Sequence, residues 1–106
     1  MEKLKIYKET TDLAMILKLV GVLDISTASL VDHYIEENEE IGILVMDFSG
    51  ITFIDSTGIG AVTNAIHYSQ EKGFTLRLQG VNDMTNDVFE MVGLYKIMNA
   101  VHGEVI

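Results

Sequence analysis

The sequence predicts an α/β domain: a mixed, mostly parallel sheet of about four strands with helices packed against it. Stretches of two-residue hydrophobic alternation exchange with stretches of helical periodicity along the chain. Their order is strand, strand, helix, strand, helix, strand, helix, and a parallel neighbour is reached only through a long crossover. The 106 residues are 48% hydrophobic and 22% charged, which suits one folded core and leaves too little chain for two. A single domain over residues 1–106 is therefore expected.

Residues 3–8 alternate Leu4 and Ile6 with lysines, as a half-exposed strand does, and Glu9-Thr10-Thr11-Asp12 supplies turn-forming residues. Over residues 13–22, Leu13, Met15, Leu17 and Leu19 alternate with Ala14, Ile16, Lys18 and Val20, so one face of a second strand is wholly apolar. These two strands are expected to pair as a hairpin. Residues 26–38 place Leu30, Val31, Tyr34 and Ile35 on one helical stripe, with Ser26 as the expected N-cap. Residues 41–48 are almost unbroken apolar side chains, the pattern of a central strand covered on both faces.

A second helix is predicted over 57–72, with Ile59, Val62, Ile66 and Ser69 along one side and Gly73 at its left-handed end. Residues 74–78 alternate as a further strand. Residues 83–92 form a third helix with Met84, Val88, Phe89 and Val92 inward, stopped at Gly93. The apolar content of 97–106 suits a short strand, a last helical turn or a frayed end.

Composition excludes several functions. Without cysteine there are no disulfides, no thiolate nucleophile and none of the commonest zinc sites. His33, His67 and His102 lack ligand spacing, so neither a metal nor any other cofactor is expected. Sixteen acidic against 7 basic residues give a formal charge of −9, which repels nucleic acid and anionic membrane surfaces and favours a basic partner. No apolar run approaches the roughly 20 residues of a membrane span. The start, Met1-Glu2-Lys3-Leu4-Lys5, lacks the apolar core of a secretory signal, so a cytoplasmic location is expected.

The most informative stretch is Phe53-Ile54-Asp55-Ser56-Thr57-Gly58-Ile59-Gly60, at the junction of the buried strand and the second helix. A helix N-terminus presents unpaired N–H groups and positive charge, so it accommodates an anion or a phosphorylated hydroxyl. Taken alone, Ser56 reads first as a simple helix cap. Asp24 suits either a turn or a partner contact. Asp55 suits an accessory role rather than an acid catalyst, and Thr57 a structural role in the first turn. Gly58 and Gly60 suit tight packing or the close approach of a partner. A helical wheel places Gly60, Ala61, Asn64 and Tyr68 opposite the core stripe, as a shallow surface with one possible aromatic anchor.

The Phe53–Gly60 stretch resembles the signature of the STAS domain of anti-sigma-factor antagonists. Upstream, Gly21-Val22-Leu23-Asp24 followed by Ser26-Thr27-Ala28 is similar to that family's strand-end motif. Downstream, Met91-Val92-Gly93-Leu94-Tyr95-Lys96-Ile97 resembles its helix-ending segment. The resemblance spans nearly the whole chain and implies a STAS fold. It further implies that Ser56 is phosphorylated by a partner anti-sigma-factor serine kinase and dephosphorylated by a serine phosphatase, with Asp24 close by. The implied contact surface for the kinase is Asp24, Asp55, Thr57, Gly58, Ile59, Gly60 and Asn64, with no catalytic residue.

Three other readings compete. Asp47, expected at the end of the buried strand, would be the phosphoacceptor of a receiver-like phosphorelay domain. Receivers also need an acidic pair for magnesium and a late lysine, and neither is visible. A serine hydrolase lacks both the Gly-x-Ser-x-Gly elbow around Ser56 and an assured histidine base. The remaining alternative keeps the fold and changes the assembly, because STAS domains also serve in stress signalling, transporters and lipid transport.

Overall fold

The computed structural model describes residues 3–37 and 41–102. Its elements run β1 (Lys5–Thr11), β2 (Ala14–Leu23), α1 (Ala28–Glu36), β3 (Ile43–Ile54), α2 (Ser56–Lys72), β4 (Thr75–Gln79), α3 (Asp83–Met91) and α4 (Leu94–His102). The strands lie in the order β1-β2-β3-β4, with β1 antiparallel to β2 and the other pairs parallel. This is the four-stranded mixed α/β sheet expected from the sequence. Because β2, β3 and β4 add in one direction, right-handed crossovers put their helices on the same face of the sheet. Met15, Leu17, Leu19, Leu44, Met46, Phe48, Leu76 and Leu78 meet the helices on that face. The other face, with Tyr7, Lys18, Asp47 and Gln79, carries no helix among the described residues.

Several boundaries differ from expectation. β1 continues through Glu9-Thr10-Thr11, and the turn falls at Asp12-Leu13, which leaves Leu13 67% exposed instead of in the apolar face. Leu30 is exposed on α1 because that helix buries only the narrow arc of Ala28, Val31 and Ile35. In α3, Thr85 and Phe89 point inward, while Met84 and Val92, expected in the core, lie outside it. The Phe89 ring fixes this orientation, since it packs edge-on against both Phe48 and Tyr95, with centroids 5.7 and 6.1 Å apart. Within the ambiguous tail, residues up to His102 belong to α4, and residues 103–106 lie outside the described chain, as does Asn38, the expected end of the first helix.

The largest departure is β3, which runs on to Ile54 instead of ending at Phe48. From Lys18 to Leu23 β2 advances five steps while β3 advances seven, from Asp47 to Ile54. Two residues of β3 therefore lack counterparts, and the pairing shifts twice. Each shift resets which side chains face the helices. Ile51 points into the core, whereas Phe53 pairs with Val22 on the outer side and stays 55% exposed. Past Asp47, β3 has no partner on its β4 side, because β4 stops at Gln79.

Candidate partner-binding and phosphoacceptor site

β2 and β3 end in register, with Leu23 opposite Ile54, so Asp24 and Asp55 leave adjacent strand ends at one edge of the sheet. The Asp55 N–H donates to the Leu23 carbonyl at 3.3 Å. Asp55 is the N-cap of α2: its carboxylate accepts from the Gly58 N–H at 2.9 Å. Capping is thus done by Asp55 and not by Ser56, because a cap side chain reaches the N–H two or three residues ahead of it. Ser56 becomes the first helical residue. Its side chain is exposed, as is that of Thr57, and among the described residues its hydroxyl makes no hydrogen bond.

The two glycines of the motif behave differently. A Cβ on Gly58 would sit 2.2 Å from the Leu23 carbonyl oxygen and 2.8 Å from Ile54 Cγ1, so the absent side chain is what lets α2 seat against the strand ends. A Cβ on Gly60 would meet nothing within 4 Å. Gly60 therefore leaves open surface in front of the helix, with exposed Asn64 one turn further on and Ile59 half-buried against the core.

The expected shallow surface is smaller than the helical wheel suggests. Ala61 is buried, because α1 and α4 cover the flanks of α2 and widen its buried arc beyond one stripe. Tyr68 is half-buried and tied to α1, its hydroxyl donating to the Glu36 carboxylate. That hydrogen bond, aided by desolvation and nearby carboxylates, pushes its phenol up to about 12. The Lys72 ammonium lies 5.7 Å from the Tyr68 ring centroid. Tyr68 joins two helices instead of standing free as an anchor.

Asp24 closes the β2–α1 turn. One carboxylate oxygen accepts from the Ser26 N–H at 2.9 Å and from the Ser26 hydroxyl at 2.7 Å. The Ser26 hydroxyl bond is the main cause that holds this carboxyl below its ordinary value. The N-cap position of α1 belongs to Thr27, not to Ser26, whose hydroxyl is taken by Asp24. Buried Thr27 donates to the Val22 carbonyl at 2.8 Å and accepts from the Asp24 N–H at 2.9 Å. In the sequence Thr27 is one of two adjacent hydroxyl residues in the motif after Asp24, and nothing local marks it as the buried one.

Asp47 lies within β3 on the helix-free face, distant in sequence from the strand end. It accepts from the Ser49 N–H at 2.9 Å and the Gln79 amide at 3.3 Å. Partial burial opposes its ionisation, but the bonds from Ser49 and Gln79 and the charge of Lys18 together hold it below the ordinary value. Among the described residues no three His, Asp or Glu side chains converge as metal ligands, and no helix is long and apolar enough to cross a membrane.

Comparison with known proteins agrees with this architecture. The anti-sigma F factor antagonist of Paenibacillus polymyxa is 28% identical over 94 residues, covering 86% of this chain and 80% of the relative. The Bacillus cell fate determinant SpoIIAA in its phosphorylated form superposes with a TM-score of 0.71 at 20% identity, covering 85% of both chains. A sulfate transporter family protein from Wolinella succinogenes has a TM-score of 0.75 at 20% identity, covering 85% of this chain and 75% of that one. The STAS domain model matches residues 5–105. By fold, by strand-end architecture and by this match over nearly its whole length, the chain belongs to the STAS domain family.

Proposed function

We propose that this protein is a cytoplasmic anti-sigma-factor antagonist: unphosphorylated, it binds a kinase-type anti-sigma factor and frees the sigma factor, and phosphorylation of Ser56 ends that binding. The observation that carries this is the exposed, unengaged Ser56 hydroxyl in the first turn of α2, where Asp55 already does the capping. A kinase can take this oxygen without removing a bond the fold uses. The γ-phosphoryl group of ATP passes to Ser56 Oγ, ADP leaves, the hydroxyl proton is lost, and a serine phosphatase reverses the mark by hydrolysis. The anti-sigma F antagonist among the relatives and the phosphorylated SpoIIAA among the solved structures support this reading.

The magnitudes suffice. Phosphate adds about −1.5 to −2 charges, and one unit-charge pair about 5 Å apart at an effective dielectric near 20 repels by roughly 3 kcal/mol. About 2.7 kcal/mol is a hundredfold in affinity. The like charges on the kinase are the nucleotide phosphates its active centre must hold. Within the antagonist the phosphate sits at the positive end of α2, so the fold tolerates it.

Ser56→Asp is expected to lower affinity for the anti-sigma factor roughly a hundredfold in calorimetric titration, with little change in melting temperature. Undiminished binding would sink the switch. Ser56→Ala should still bind and should take no phosphate from kinase and ATP by intact mass. A second reading, a STAS module in a transport assembly, is favoured by the likeness to the sulfate transporter family protein. It predicts neither kinase binding nor phosphorylation of Ser56.

A further inference from the structure

We propose that the groove between the end of β3 and α3 is a second anchor point, which takes one apolar side chain flanked by Lys or Arg on an extended segment of the anti-sigma factor. The groove exists because β4 leaves the sheet early. Gly80, at φ 69°, turns the chain where a Cβ would lie 2.6 Å from Asp47 Oδ1 and 2.8 Å from the Ser49 nitrogen. Asn82 then caps α3 by accepting from the Thr85 N–H at 2.8 Å. Among the described residues, the bulged end of β3 is left without a strand on its β4 side, while β2 still pairs with it on the other. Thr52, Phe53, Ile54, Met84 and Val88 line the resulting space of about 120 Å³. An apolar cavity of roughly 150 Å³ admits benzene, so this smaller one has room for a single aliphatic side chain. Phe53 and Met84, 55% and 67% exposed, stand at its mouth as large apolar surface that no described residue covers.

Charge decides what covers it. Between Lys18 and Lys72 the chain holds nine Asp or Glu and no Lys or Arg, and between Arg77 and Lys96 it holds three acids and again no Lys or Arg. The two walls of the groove come from these two stretches, with Asp55 directly after Ile54 and exposed Asp83 and Asp87 on α3. The complement of an apolar slot with an anionic rim is an apolar residue between cations. The chain's own basic stretch, Lys3-Leu4-Lys5-Ile6, is committed to the sheet edge with Leu4 buried, so a second copy does not supply the occupant.

Only the ownership of the segment rests on the function proposed above; the chemistry of the groove stands apart from it. A cationic segment is not repelled by phosphate at Ser56, so the groove's own affinity for an isolated segment should be unchanged by phosphorylation, and the loss of the whole partner should come from the contact at Ser56. The test starts from a random dodecapeptide display library selected on the full chain. Enriched peptides should carry an apolar residue flanked by Lys or Arg. Their synthetic forms should bind at least tenfold more weakly to folded Met84→Lys and Phe53→Lys variants, weaken in salt, and bind Ser56→Asp unchanged. No enrichment, acidic or uncharged consensus peptides, or equal binding to both lysine variants would overturn the groove. The second arm uses purified anti-sigma F factor from Paenibacillus polymyxa. A tenfold loss on Met84→Lys assigns the segment to it, and equal affinity overturns that assignment. Absence of wild-type binding counts against the proposed function, while the peptide result still decides the groove.

Discussion

Two helices start side by side at the ends of the central strands from similar residues, Asp24-Ile25-Ser26-Thr27 ahead of α1 and Asp55 followed by Ser56-Thr57-Gly58 in the first turn of α2, and they use their hydroxyls in opposite ways. Asp24 takes both the N–H and the hydroxyl of Ser26, and Thr27 is buried between the Val22 carbonyl and the Asp24 N–H. Asp55 reaches past two hydroxyls to the N–H of Gly58. The first turn spends its hydroxyls on holding itself together. The second is held by a carboxylate and a missing side chain, and so leaves Ser56 available for chemistry.

The contrast is broken most directly at Gly58. Gly58→Ala forces a methyl group onto the Leu23 carbonyl, and a loss of about 3 kcal/mol is expected in denaturant unfolding. Near-wild-type stability would mean that α2 can lift off the strand ends without penalty. Thr27→Val comes next. It takes a hydrogen-bond partner from two part-buried backbone groups, which should cost about 2 kcal/mol and lower the melting temperature by roughly 4–8 °C for each kcal/mol. Ser56→Ala should change stability by less than about 0.5 kcal/mol, and a drop as large as that of Thr27→Val would erase the distinction between the two turns.

Asp55→Ala, which removes the cap, is expected to cost about 1 kcal/mol in the same assay. The smallest effect concerns protons. The Asp24 carboxyl is held below 3.8 in the folded chain, chiefly by Ser26. Its ionised form therefore supports the fold above its unfolded value, and that support fades as pH falls through the lower folded one. Carboxyl carbon NMR should show the depressed midpoint, and Ser26→Ala should return it toward 3.8. An unmoved midpoint would show that the serine does not hold it.

The parts of this molecule that sequence made legible are those governed by local periodicity and steric extremes. The alternation around Met15, Leu17 and Leu19, the helical stripe of Val62 and Ile66, and the glycines that end α2 and precede α4 all correspond to elements in place. The place of the candidate segment was legible too, because Asp-Ser-Thr-Gly sits where a buried strand passes into a helix. What stayed hidden depends on contacts between distant residues. Nothing local to residues 49–54 shows that β3 continues, because its pairing is set by β2. Ala61 is small enough to read as surface or core until α1 and α4 are in place. Met84 looked like a core residue on periodicity, but Phe89, wedged between Phe48 and Tyr95, fixes which way α3 turns.

The pair of unmatched residues in β3 sets a rule of parity. Removing one of them would turn the following side chains inside out: Phe53 would be driven toward the helices, Ile54 toward water, and the start of α2 would rotate with them. Removing both would restore the original sense and merely shorten the reach of the strand. Length variation before Asp55 should therefore be tolerated in steps of two, and a single-residue change there would reorient the start of α2, and Ser56 with it, without touching either.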